Sequence, residues 1–229
     1  MLFCKSVPYR AWASGGVFFF VQYAKGLLVG FLMFSLVLAI GALFGGFRFT
    51  GMAQPVRPAL LILFFLGFML QGMEEEVVCR GYFMISLSRR SPMWLAVLLN
   101  AAVFALGHIL NPGAGIFPMI NLIIFGIFAS LCMLRTGNIW GIGAIHTIWN
   151  YVQGNFYGLP VSGMADMPSL MRFELSGSPL ISGGEFGPEG GLPVTIVYLI
   201  GILLTLFLPE KERLRRRETR AVTPQTPQM

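Results

Sequence analysis

The chain has 229 residues, of which 55% are hydrophobic and 11% charged, and its formal net charge is +6. Soluble domains carry about 25% charged residues, so this composition excludes a soluble enzyme and describes an integral membrane protein whose length is mostly spent in the bilayer. The positive charge is concentrated in the C-terminal tail, so it reports topology and not a nucleic-acid partner. The three cysteines, Cys4, Cys79 and Cys132, are scattered and suggest neither a disulfide framework nor a metal knuckle.

In chain order, residues 1–25 carry Lys5, Arg10 and Lys25 around Phe18-Phe19-Phe20 and predict an interfacial lead-in. Met1 to Arg10 is polar and no short apolar region with a cleavage box follows, so no cleavable signal peptide is expected. A first span is predicted from about Gly26 to Phe47, with Gly30, Gly41, Gly45 and Gly46 for close helix packing. A short loop with Pro55 and Pro58 follows. The second span runs from Ala59 to about Leu87, roughly 43 Å at 1.5 Å per residue, which is longer than the ~30 Å hydrocarbon core and requires tilt or emergence. The third is Pro92 to Leu110, the fourth Ile116 to Leu134, the fifth Asn138 to Val152, and the sixth Leu192 to Leu208. Between the last two lies a Gly-, Pro- and Ser-rich loop, Gly154 to Gly191, holding Asp166, Glu174, Glu185 and Glu189 against one Arg172.

The expected fold is thus all-α, a polytopic transmembrane bundle of about six spans with an N-terminal interfacial helix. A single core, 26–208, follows the 1–25 lead-in and precedes a basic tail, 209–229. Positive-inside asymmetry puts the tail, Arg135, Arg89-Arg90 and the N-terminus in the cytoplasm and the acidic loop outside. Arg48 and Arg57 fall on the wrong side.

The second span contains Glu74-Glu75-Glu76 and Arg80. A charge at the bilayer centre costs on the order of 3 kcal/mol or more, so four in one segment need partners or a watery cavity and mark a functional site. Glu76 and Arg80 are four apart and share a helix face, so they can pair. Glu75 lies about 140° round from Arg80, which makes it the acid free for chemistry; Glu74 falls on another face and has no assigned role. The bland reading of the cluster is a structural ion network. The chain has two histidines, and both fall in predicted spans: His108 after Phe104, and His146 four residues before Asn150. From the assigned boundaries, Glu75, His108 and His146 are expected to meet near mid-membrane. A carboxylate, two imidazoles and a carboxamide suit hydrolysis: a Glu activates water, a His orients it, and a His–Asn pair donates to an oxyanion. Glu and His are also zinc ligands, although no His-Glu-x-x-His is present.

These motifs give the chain a family resemblance. Glu75-Glu76-x-x-x-Arg80, Phe104-x-x-x-His108 and His146-x-x-x-Asn150, in this order on separate spans within 71–151, resemble the CAAX-protease and bacteriocin-processing family of intramembrane endopeptidases, which includes the Abi-type proteins. The resemblance implies an endopeptidase acting on a membrane-bound protein or peptide within the lipid bilayer, in a bacterial inner membrane. By it, Glu75 and His108 activate the water, His146 and Asn150 stabilise the oxyanion, and Glu76 and Arg80 support the site. The family is described both as metalloproteases and as glutamate proteases, so a divalent metal such as zinc stays open, held if present by Glu75, His108 and His146. Two other readings compete: a proton- or ion-coupled transporter, disfavoured by the lack of evident repeats, and a non-catalytic immunity or peptide-binding membrane protein.

Overall fold

The computed structural model describes residues 17–207. Met1 to Gly16 and the basic tail beyond Phe207 lie outside the described residues. The N-terminal boundary expected at residue 25 does not appear: helix α1 (Val17–Leu43) runs through it, because Phe19 to Gly26 continues the apolar face and Phe19 packs edge-on against Trp140 at 4.6 Å.

A short strand β1 (Phe47–Met52) follows, then α2 (Pro58–Glu76). Pro58 starts that helix where its missing N–H costs nothing. The helix passes without a break into a π-helical segment, Val77–Met84, and a last turn α3 (Ile85–Ser88). Helices α4 (Met93–Leu106), α5 (Ile116–Thr136) and α6 (Trp140–Tyr151) follow. Gly137, at φ +65°, makes the left-handed turn that ends α5. The segment expected to be a plain loop, Gly154 to Gly191, is largely structured. It holds a π turn (Val152–Phe156), strand β2 (Met171–Leu175), a turn of helix α7 (Pro179–Ser182) and two 3₁₀ turns before α8 (Leu192–Phe207). Strand β2 pairs antiparallel with β1, Arg48 opposite Glu174. The purely helical expectation therefore gives way to a mostly helical fold with one two-stranded ribbon. Arg48, on the wrong side by charge counting, is neutralised there by Glu174 at 2.7 Å.

Helix α6 packs between α1 and α2, and α5 packs between α4 and α8. Small residues set these distances: a Cβ added to Gly30 of α1 would lie 2.7 Å from the Ile145 carbonyl of α6, and one on Gly72 of α2 only 2.8 Å from the Thr147 nitrogen. Between the layers sits an aromatic core. The Phe34 and Trp149 rings are 5.1 Å apart, Trp149 and Tyr198 are 4.9 Å apart, and Phe125 and Tyr198 are 5.4 Å apart.

Polarity is inverted relative to a soluble protein. Asn100 donates to Ser130 and Thr195 to Asn121 inside the bundle, while Leu28, Leu32, Leu63, Leu66, Leu199 and Leu203 stand exposed on the outer faces. Two helices, Phe19–Leu43 and Ile116–Thr136, are long and apolar enough to cross a membrane; Met93–Leu106 and Leu192–Phe207 are apolar but shorter. The connections 44–57, 107–115 and 157–191 gather at one end of the bundle, joined by the β1–β2 ribbon and by the Asn111 side chain donating to the Ser162 carbonyl.

Candidate active site

Helix α2 carries the acids into the bundle. Glu76 and Arg80 are fully buried, and Arg80 Nη1 donates to Glu76 Oε1 at 2.9 Å, the pairing expected from their spacing. The wider π turn begins directly after Glu76, a feature frequent at functional sites. Within it the Arg80 guanidinium lies over the Phe104 ring at 4.5 Å and near Phe125 at 5.5 Å, where the ring faces attract the cation. Glu74 is exposed on the outer side of the helix and has no part in this network.

Helix α6 brings His146 against both remaining acids. Its Nδ1 lies 2.9 Å from Glu76 Oε1, so one carboxylate oxygen holds both Arg80 and His146. An ionised carboxylate can only accept, so Nδ1 carries a proton and Nε2 is turned the other way. Nε2 faces Glu75 Oε2 at 3.7 Å, beyond hydrogen-bonding distance. Glu75 Oε2 is buried and makes no hydrogen bond.

Gln71, which the motifs do not include, ties the constellation together. Its Nε2 donates to Glu75 Oε1, and its Oε1 accepts from Asn150 Nδ2 at 3.0 Å. The acceptor-only carboxylate fixes the orientation of the Gln71 amide, and that in turn fixes Asn150. One N–H of Asn150 remains free. Gln71 was legible by the rule that paired Glu76 with Arg80, since it precedes Glu75 by four residues in an apolar helix.

His108 is placed differently from the sequence expectation. It follows the last turn of α4, and its Nδ1 donates to the Phe104 carbonyl at 3.0 Å. A carbonyl only accepts, so the neutral ring leaves Nε2 as an acceptor. Among the described residues no group of three His, Cys, Asp or Glu side chains is close enough to hold a metal ion. The ligand set Glu75, His108 and His146 is therefore not assembled: both nitrogens of His146 face carboxylates, and His108 stands outside their contact.

Glu75, His108, His146, Asn150 and Gln71 all line one cavity of about 630 Å³. Its walls also include Phe64, Gly67 and Phe68 from α2, Val103 from α4 and Gly107 just after it. At the ribbon end it is roofed by Val161, Ser162, Met164, Met167 and Glu189. The roof is pinned by Gly163 N donating to Phe186 O at 2.8 Å and by Asn121 of α5, whose Nδ2 donates to the Glu189 and Gly191 carbonyls.

The model of the family "Type II CAAX prenyl endopeptidase Rce1-like" matches residues 57–152. Through that segment the chain is similar to the CAAX-protease family. The matched segment begins at the N-terminus of α2 and ends at the C-terminus of α6, so it contains all three motifs. Neither curated proteins nor solved structures give a match. The matched segment carries Gln71, Glu75, His108, His146 and Asn150, whereas the ribbon and the roof lie beyond it.

Proposed function

We propose that the protein is an intramembrane endopeptidase that hydrolyses a peptide bond of a membrane-associated protein or peptide in the cavity between α2, α4 and α6. The observation that carries this reading is the pair of facing, unbonded atoms Glu75 Oε2 and His146 Nε2, 3.7 Å apart at the wall of a cavity. An acid held by Gln71 on one oxygen and left empty on the other is arranged to take a proton.

In the proposed reaction, Glu75 removes a proton from a water molecule whose second hydrogen is accepted by Nε2 of His108. The water oxygen attacks the peptide carbonyl carbon. Negative charge then develops on the carbonyl oxygen, where His146, carrying a proton on Nε2 as well as on Nδ1, and the free N–H of Asn150 donate to it. The C–N bond breaks as Glu75 returns the proton to the leaving amine. Glu76 and Arg80 act through His146: Glu76 fixes the ring, and Arg80 balances the charge of Glu76.

The helices α1, α2 with its extension, α4, α5, α6 and α8 are read as six spans, with the ribbon and roof outside and both termini in the cytoplasm of a bacterial cell. The gathering of three connections at one end supports an even alternation, and the ion pair at Arg48 removes the strongest charge conflict. The substrate enters from the lipid, past the apolar residues of α2 and α4.

The reading is tested by comparing membrane proteomes of cells expressing the natural protein and Glu75→Gln. A membrane protein that accumulates uncut only with the variant supports it. Identical termini throughout the two membrane proteomes count against it.

A further inference from the structure

The roof of the cavity carries a buried carboxylate that the hydrolytic scheme does not use. Glu189 is 5% exposed and lines the cavity. Its backbone is pinned by Asn121 of α5, which donates to the Glu189 carbonyl at 2.8 Å. Its Oε2 accepts from the Ser162 backbone N–H and from the Ser162 hydroxyl at 2.7 Å, and its Oε1 takes part in neither bond. No Lys or Arg lines the cavity among the described residues. Arg80, which is fully buried, is committed to Glu76 and to two aromatic rings. Asp166 and Glu185 add two exposed acids to the same outer segment. A buried carboxylate is costly without a counter-charge, and two hydrogen bonds to one oxygen leave this charge without an ionic partner.

We propose that Glu189 forms a subsite for a cationic group of the substrate, a Lys or Arg side chain or a free N-terminal amine, at the roof of the cavity. This inference rests on the endopeptidase reading and adds the charge class of its substrate: the peptide seats positive charge under the roof, and an acidic side chain or free carboxylate there is rejected. The Glu189 charge serves in binding and in choice of register and takes no part in bond breaking. Its bonds to Ser162 hold the carboxylate still, so little ordering is left for the moment of binding.

The test uses the full chain in phosphatidylcholine nanodiscs, in the uncutting Glu75→Gln form, with fluorescent palmitoylated peptides. A neutral sequence carries one Lys moved position by position, with Gln or Glu as replacements, and the N-terminus is acetylated or free. One Lys register, or the free amine, is expected to bind ~10-fold more tightly than the Gln peptide, the size of a modest charge interaction, and Glu in that register binds more weakly than Gln. The two peptide arms tell a side chain from an N-terminal amine. Adding Glu189→Gln, which keeps an acceptor oxygen for Ser162 and removes the charge, is expected to erase the preference. Equal binding of Lys, Gln and Glu peptides in every register, or a preference that survives Glu189→Gln, overturns the proposal. Cleavage by the natural protein is scored separately. Cleavage without charge preference defeats the subsite alone, whereas charge-selective binding without cleavage defeats the endopeptidase reading and leaves the subsite standing.

Discussion

His146 Nδ1 sits 2.9 Å from Glu76 Oε1, the same oxygen that receives Arg80. A single buried oxygen therefore holds the Nδ1–H of the histidine and pairs with the arginine. The supporting pair read from the sequence and the site's histidine are one network across α2 and α6, and the site's geometry depends on how closely those helices approach.

Replacing Glu76 with Ala strands a fully buried guanidinium and frees His146 to turn. Breaking a buried pair by removing one partner costs about 3–5 kcal/mol. Thermal unfolding in detergent is expected to show a large loss of stability together with loss of activity. A melting temperature equal to that of the natural protein contradicts the assigned burial.

Gln71 orients both Glu75 and Asn150 but touches no reacting atom in the scheme. Gln71→Leu is expected to lower kcat by ~10-fold or more while leaving KM and the unfolding temperature nearly unchanged, since misplacing catalytic groups costs rate before binding. Kinetics on a tethered peptide make the check. A KM effect alone assigns Gln71 to substrate contact instead.

Gly72 lets α2 lie against the Thr147 backbone of α6. Gly72→Leu is expected to destabilise the fold by about 1–3 kcal/mol through overpacking, with activity lost in proportion as the Glu75–His146 spacing opens. Thermal unfolding and peptide cleavage measured on the same preparation test the coupling. Full stability with full activity argues against this helix contact.

Arg48 and Glu174 form the ribbon's cross-strand ion pair, and both are well exposed. Exposed pairs contribute about 0–1 kcal/mol, so Arg48→Ala is expected to leave unfolding and cleavage nearly unchanged. A marked loss of activity would assign the ribbon a part in substrate handling.

What the sequence revealed follows from distance along the chain. Glu76 with Arg80 was legible because helical spacing alone brings residues four apart together, and the same arithmetic applies to Gln71 with Glu75. The contact between His146 and Glu76 spans 70 residues. It depends on the docking of α6 against α2, which Gly72 and Thr147 determine and which no local pattern encodes. His108 was expected inside a span reaching Leu110, but α4 ends at Leu106, so the histidine lies in the turn beyond, bonds to its own helix and lines the same cavity as Glu75. The roof was opaque for another reason. Its path rests on left-handed backbone at Ser162, Gly163, Gly183 and Gly187, and such positions read in sequence only as a flexible Gly-rich stretch. In the sequence Glu189 therefore reads only as one of several acids in that loop.

The central claim is that Glu75 is the base of a hydrolytic site. Its most direct test is mass spectrometry of a membrane-tethered peptide incubated with purified protein in lipid, in H₂¹⁸O, comparing the natural chain with Glu75→Gln of equal unfolding temperature. The account predicts a single cut with ¹⁸O in the new carboxyl terminus for the natural chain and no cut for the variant. Undiminished cleavage by Glu75→Gln contradicts it.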